Sequence, residues 1–329
     1  MKVLLQKTQL FCAIAALWMA GGGSTFAHHA PKIADSFEPH KPNVRYYWDI
    51  THFYVESDGM PDRTKMPNLM VGITSWQQQL PMPVSYFFST INPESNPLSL
   101  GYQQRNVWKI PLVPVPAASP ISLNGNFLRG AVALAANGIP IFNPRNNRGE
   151  YSYEIGELDG YGGHCGLADD YHYHIAPVHL QNVLGISKPV AWALDGYPIY
   201  GYTEPDGTSA QATLVNGGHT HGTLGYHYHA RGTFNSGTST WTPASPYLMD
   251  EMHGAVVNYG GQIDPQPTAS TVAPAGAPLA GAVITSFTRT APDAWSMTYT
   301  VSGTTITAGT PVVFASAQSN ETDIAATSS

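Results

Sequence analysis

Apolar, β-branched and aromatic residues come in short runs along this chain, separated by Pro, Gly and Asn, and long helical periods are sparse. VRYYWDITHFYVES (44–57), NLMVGITSW (68–76) and VSYFFSTI (84–91) predict strands, because such side chains suit a pleated surface and turn formers bound each run. KIPLVPVPAASP (109–120) holds too many prolines for a central strand, since Pro donates no ladder hydrogen bond, and predicts extended chain or a sheet edge. VHLQNVLGIS (178–187) is the best candidate for a short helix, ended by Gly185 or Pro189. Toward the C-terminus, AVITSFTRT and AWSMTYTVSGTTITAG alternate apolar and polar positions as a half-exposed antiparallel sheet does. The fold class expected is mainly β, with few short helices.

Two landmarks recur in order. VALAANGIPIFNP (132–144) aligns without a gap on VAWALDGYPIYGY (190–202), at an offset of 58. Each reads as a strand running into an Asn-Gly or Asp-Gly turn, then Pro and a second strand. GGHCGLADDYHYH (162–174) then aligns on GGHTHGTLGYHYH (217–229), at an offset of 55. Residues 132–189 and 190–245 therefore read as a tandem duplication of one β unit, with a local two-fold axis as the natural packing. The expected organisation is a signal peptide at 1–27, a duplicated β-rich domain at 28–261, a Pro/Ala linker at 262–282 and a small β module at 283–329.

The beginning of the chain has the form of an export signal: Lys2 and Lys7, the apolar run LFCAIAALWMA (10–20), then the small-residue tail GGGSTFA (21–27). The expectation is a periplasmic or secreted protein with no membrane span. Without Lys2 and Lys7 the chain keeps 13 basic residues against 22 acidic ones, a net of −9, which disfavours nucleic acid as a partner. Cys12 lies in the apolar run, so Cys165 alone remains and no internal disulfide is expected.

The candidate chemistry lies in the histidines. Strand side chains alternate faces, so His172 and His174 point one way while Tyr171 and Tyr173 point the other, and likewise His227 and His229 against Tyr226 and Tyr228. The Gly-Gly before His164 and His219 permits a tight turn that brings a third imidazole to the same place. Two sets result, His164, His172, His174 and His219, His227, His229, forming either two sites or one shared site. Three imidazoles leave a coordination position open in a tetrahedral zinc site, and they also suit copper, iron or nickel. The competing reading is structural, with the imidazoles held in buried hydrogen-bond networks. Asp169 and Asp170 are candidates for orienting a ligand imidazole or accepting a proton, and exist only in the first copy. Weaker candidates are His221, Cys165, His253 within MDEMHG (249–254), and an N-terminal copper site at His28 and His29.

NGIPIFNP, GELDGYGGHCGLADDYHYHIAP, ALDGYPIYGY and GYHYHARG, continuing to EMHGAVV near residue 257, resemble the secreted YHYH-domain family. VESDGMP, MVGITSWQQQLP and WKIPLVPVP fit the same arrangement, so the resemblance covers most of 45–260. It implies a histidine-centred site at His172, His174, His227 and His229 and supplies no substrate. The expectation is a histidine-ligated transition-metal protein, a hydrolytic or oxidative metalloenzyme acting on a small-molecule or envelope substrate. The alternatives are a non-catalytic metal carrier and a surface adhesion module with structural histidines.

Overall fold

A computed structural model describes residues 30–41, 44–57, 59, 84–85, 107–165, 171–267, 270–271, 282–291, 294–301, 304–307 and 312–313. The expected signal peptide, His28 and His29, the 68–76 run and most of 84–91 lie outside the described residues, as do Asp169 and Asp170.

The centre of the fold is an eight-stranded sheet built from β1 (Ala131–Ala135), β2 (Pro140–Phe142), β3 (Gly163–Cys165), β4 (Tyr171–Tyr173), β5 (Ala191–Ala193), β6 (Pro198–Tyr200), β7 (Gly218–His221) and β8 (Gly225–His229). Its spatial order is β7-β8-β6-β5-β1-β2-β4-β3. The Asn-Gly and Asp-Gly turns close the β1–β2 and β5–β6 hairpins, in the places the pattern predicts. Each second strand then lies parallel to a Tyr-His-Tyr-His strand, with Ile141 facing Tyr173 and Ile199 facing Tyr228.

The order reads alike from either end. At the centre β5 and β1 run antiparallel, with Trp192 opposite Leu134, two residues that are 58 positions apart. The flanking hydrogen bonds match as well: Ala136 N–H donates to the Val190 carbonyl and Leu194 N–H to the Val132 carbonyl, both at 2.9 Å. Alanines 133, 135, 191 and 193 along this seam are fully buried, and small side chains allow that close covering.

A three-stranded sheet and the short helix Ala34–Phe37 cover the sheet centre. The Val44–Trp48 and His52–Ser57 strands form a hairpin extended by Trp108–Pro111, which stands at its edge as the proline content demands. Phe37, Phe53, Val55 and Ile110 join one core with the β1 and β5 residues. Ser57 Oγ donates to the Gly138 carbonyl at 2.6 Å and Trp192 Nε1 to Ser36 Oγ at 3.2 Å, fixing this layer over the seam. The expected short helix is a 3₁₀ turn at Val178–Leu180 leading into Gln181–Leu184, and Gly185 ends it.

The first residues of the segment expected as a Pro/Ala linker, 262–282, are paired. Gln262–Asp264 pairs with Val257–Tyr259 and Ile263 is buried. The Gln266 amide then grips the backbone of Ala131 at both ends, accepting from its N–H at 2.9 Å and donating to its carbonyl at 2.7 Å. A side-chain amide acting as a strand's pairing partner leaves no alternation to read. Farther on, Ala282–Ala291, Ala294–Val301, Thr304–Thr307 and Val312–Val313 form an antiparallel sheet, as their alternation predicts. Among the described residues no helix is long and apolar enough to cross a membrane.

Candidate metal centres

The Gly-Gly-His and Tyr-His-Tyr-His segments pair as antiparallel strands. His164 stands directly opposite His172 on β3–β4, and His219 opposite His227 on β7–β8. The glycines have separate jobs. Gly162 and Gly217 turn the chain at φ +87° and +89°, a region that side chains disfavour. Gly163 and Gly218 let the strands close, because a Cβ on either would lie 2.5 Å from the hydroxyl of Tyr171 or Tyr226.

The tyrosine face of both motifs is anchored by acids and amides of the turns. Tyr171 donates to Asp159 at 2.6 Å and Tyr228 to Asp195 at 2.7 Å, while Asn137 Nδ2 donates to the Tyr173 hydroxyl at 3.1 Å. Asn137 and Asp195 are the equivalent residues of the Asn-Gly and Asp-Gly turns. One landmark thus grips the other, and this fixes which way the histidines face. Burial pushes the Asp159 and Asp195 carboxyls upward, opposed by these tyrosine bonds.

On the opposite face the histidines gather in two separate clusters. His164, His172 and His174 lie at the β4–β3 end of the sheet; His219, His227 and His229, joined by Glu204, lie at the β7–β8 end. Within each cluster one donor atom per residue lies within 4.8 Å of the others. In the first, His164 Nε2 and His174 Nε2 are 3.0 Å apart, and Phe142 stacks on the His172 ring at a centroid distance of 4.0 Å. In the second, the His219 and His227 Nε2 atoms are 3.2 Å apart. Glu204 Oε1 lies 2.7 Å from His219 Nε2 and 3.5 Å from His229 Nε2, and Oε2 lies 3.2 Å from His227 Nε2.

The far side of each ring shows what these short approaches mean. A carbonyl oxygen only accepts, so His174 Nδ1 facing Asn143 O, His227 Nδ1 facing Gly225 O and His229 Nδ1 facing Gly201 O must each carry the hydrogen. Thr213 already gives its hydroxyl hydrogen to the Ala210 carbonyl, so at 2.7 Å it accepts from His219 Nδ1–H. In neutral rings the opposite nitrogen, Nε2, is then a bare lone pair. Three such lone pairs and a carboxylate converge in the second cluster, with His227, His229 and Glu204 all buried. His229 Nε2 and Glu204 Oε1 are buried without a hydrogen-bond partner, although Oε1 lies so near His219.

A proton on one ring relieves one contact and leaves the others opposed. Burial first, then the neighbouring imidazoles, resists charging the first cluster: His174 is held down at about 3 and His164 lies well below the ordinary range, while at His219 burial prevails over the opposing Glu204 carboxylate and leaves the ring lowered. At His229 burial likewise dominates and brings the ring to about 4, against the Gly201 carbonyl and Glu204. Burial pushes Glu204 upward, but His229, His227 and His219 together outweigh it and leave the carboxyl lowered. Converging acceptors that resist protonation fit a metal cation. Tetrahedral zinc with nitrogen donors at about 2.0–2.1 Å sets those donors roughly 3.3 Å apart, within the spread seen here. Copper and iron accept the same imidazole donors, and the donor set does not choose among them.

Glu204 is the residue that sequence reasoning passed over. It lies 58 positions after Asn146, so the alignment of the first landmark, carried two residues farther, reaches it. Its burial is what the alignment could not display. The exposed His221 reaches Glu204 Oε2 at 3.2 Å through Nδ1, so it belongs to the rim of the second cluster. His253 instead stacks on Tyr226 at 3.5 Å, and Met249 and Met252 are core residues, so MDEMHG adds no donor to either cluster. Cys165 ends β3, and its side chain lies outside the described set.

Residues 107–260 match the family model described as YHYH protein. No curated protein and no solved structure matches the chain.

Proposed function

Starting from a chain that carries a YHYH domain, we propose that it is a histidine-ligated transition-metal protein with two centres, one per Tyr-His-Tyr-His strand, acting as a metalloenzyme. One observation carries the reading: at His174, His227, His229 and His219 the Nδ1 hydrogen is committed to a backbone or threonine oxygen, so the Nε2 lone pair of each of these four rings is aimed inward. Metal-ligating histidines are held in this way, their outer N–H fixing tautomer and ring angle. When bound, zinc supplies Lewis acidity and copper or iron supplies redox chemistry as well. The chain's own residues orient the donors, exclude water from them and keep them unprotonated.

Export to the periplasm or the medium is part of the proposal, supported by the basic start, apolar run and small-residue tail of residues 1–27. The substrate would then be a small molecule or a component of the envelope. A purely structural network is less well supported, because such a network places donors opposite acceptors and this one places acceptors together.

The test is metal content. Protein purified without a histidine tag and dialysed against zinc or copper should hold two metals per chain by elemental analysis. His172→Ala with His174→Ala should remove one, and His227→Ala with His229→Ala the other. Folded wild-type protein that stays metal-free after reconstitution would sink the reading.

A further inference from the structure

Resting on that metal-binding reading, we infer that His221 is the entry ligand of the His219 centre: an exposed imidazole that takes an incoming divalent cation at the rim, together with Glu204, and passes it to the three rings behind.

The side chains of this centre are graded by depth. His227 and His229 are fully buried, Glu204 is 3% exposed, His219 11% and His221 48%. His219 and His221 lie on β7, the outermost strand at this end of the sheet, which pairs with β8. Two positions apart on a strand, they share a face, and their rings lie 30° from parallel with centroids 5.9 Å apart. Opposite His219 stands His227, but opposite His221 stands Gly225. A Cβ on Gly225 would meet no atom within 4 Å, so the space across from His221 is open. The accessible side of the centre is therefore the His219–His221 end of β7. A buried metal site needs such an entry path.

His221 is also held differently from the rings behind it. His219, His227 and His229 each give an Nδ1 hydrogen to an oxygen outside the cluster, and that outer bond fixes the ring. Among the described residues the polar contact of His221 runs inward instead, from Nδ1 to Glu204 Oε2 at 3.2 Å. A ring tied at one point, beside open space, can release the carboxylate to a cation and move with it.

Glu204 connects the rim to the interior. Its Oε2 lies 3.2 Å from His221 Nδ1 and 3.2 Å from His227 Nε2, while Oε1 lies 2.7 Å from His219 Nε2. Donors of one tetrahedral zinc ion stand roughly 3.3 Å apart, so a cation can hold Oε2 with His221 first and then exchange His221 for His227 without leaving the carboxylate. One imidazole replaces another at each step, and the ion is never stripped of donors in a buried setting, where a bare charge is costly. The exposed Asp206, within electrostatic reach of His221, adds a second negative charge at the mouth. A ligand of the path that is absent from the final site lowers the barrier to entry and exit alike and leaves affinity unchanged.

Cobalt(II) makes both directions measurable, through the visible absorption it gains in a four-coordinate site: rapid mixing reads uptake and a chelator chase reads release. In the full chain, His221→Ala should slow half of the uptake and half of the release about tenfold, the effect of removing one ordinary contact from a barrier, with two cobalt ions still bound at wild-type Kd. With His172→Ala and His174→Ala also present, leaving the His219 centre alone, the whole signal should slow. His221→Gln keeps an amide donor for Glu204 but no imidazole lone pair, and should stay slow. Rates unchanged by His221→Ala, a weakened Kd with unchanged uptake, or uptake restored by His221→Gln overturns the inference and leaves metal binding standing. Failure to bind cobalt at all overturns both.

Discussion

Gly163→Ala tests how tightly strand closure is tied to coordination. A Cβ at Gly163 would sit 2.5 Å from Cζ and Oη of Tyr171 and 2.7 Å from the His172 backbone oxygen. Carbon–oxygen contacts between neighbouring strands ordinarily lie at about 3.3–3.6 Å, so β3 and β4 must part by roughly 0.6 Å or more. Tyr171 is buried and bonded to Asp159, so the ring cannot simply swing away. Overpacking of this sort costs about 1–3 kcal/mol. The consequence for the site is larger than for the fold. His164 follows Gly163 directly, and metal–ligand distances tolerate only about ±0.2 Å. Affinity at the His164 centre should therefore fall on the order of 10–100-fold, the loss typical when a ligand's support is disturbed. The His219 centre, at the other end of the sheet, should be untouched. Equilibrium dialysis followed by elemental analysis reads this as one retained metal out of two, and denaturant unfolding reads the stability loss. Gly218→Ala should do the reverse, since its Cβ meets Tyr226 and the His227 carbonyl at 2.5 and 2.7 Å. Two metals held by Gly163→Ala at wild-type affinity would refute the reasoning; loss of both would show that the strain spreads through the sheet.

Thr213→Val removes the acceptor for His219 Nδ1–H while keeping the side chain's shape, and should weaken metal at the His219 centre about 10–100-fold without changing the His164 centre, as competition with a chelating dye would report. Stripping metal from the loaded protein should lower stability by about 4 kcal/mol per centre when free metal had stood at 1,000 times Kd; calorimetry should register roughly 8–16 °C per centre, and an unchanged Tm contradicts the proposal. Asp49 gives a pH test remote from the two histidine clusters. Burial raises its carboxyl, but bonds from Tyr54, Thr51 and His52 prevail and hold it well below the ordinary range. A carboxyl lowered in the folded state stabilises above its unfolded pKa of about 3.9, and that stability is lost as pH falls through the folded value. Asp49→Asn should thus be less stable than wild type at neutral pH by about 1 kcal/mol, and the gap in Tm should narrow below about pH 4; a gap independent of pH tells against the ionised carboxylate.

Elements whose signal is local were legible in the sequence. The Asn-Gly and Asp-Gly turns, the proline-bearing edge and the short helix before Gly185 each follow from the chemistry of a few neighbouring residues. The period of two also put His172 with His174 and His227 with His229 on one face. What it could not give is the partner of a side chain that leaves its strand. Asn137 and Asp195 look like turn residues and are that, but they also hold Tyr173 and Tyr228 across the sheet. Glu204 sits in a loop with Asp206 nearby, and nothing in TEPDG separates the buried acid from the exposed one. Gln266 was hidden by the composition around it. Whether the histidines gather in one cluster or two depended on strand order, which alternation along a strand does not encode.

The seam between β1 and β5 carries a further consequence. Because Leu134 faces Trp192, the residue 58 positions on, each half meets the other along a strand in the register with which it could meet a copy of itself. A polypeptide ending near Lys188 would leave β1 as a naked edge, its amides and carbonyls unpaired. A second such polypeptide offers β1 in the opposite direction, with Leu134 against Leu134 and alanines on either side. Isolated halves of the domain should therefore self-associate as closed pairs, each pair holding two identical three-histidine centres and no Glu204. The intact chain occupies that edge internally, which lets the two halves differ, with Glu204 turned into one histidine cluster and Asn146, at the matching position, turned back into its own loop.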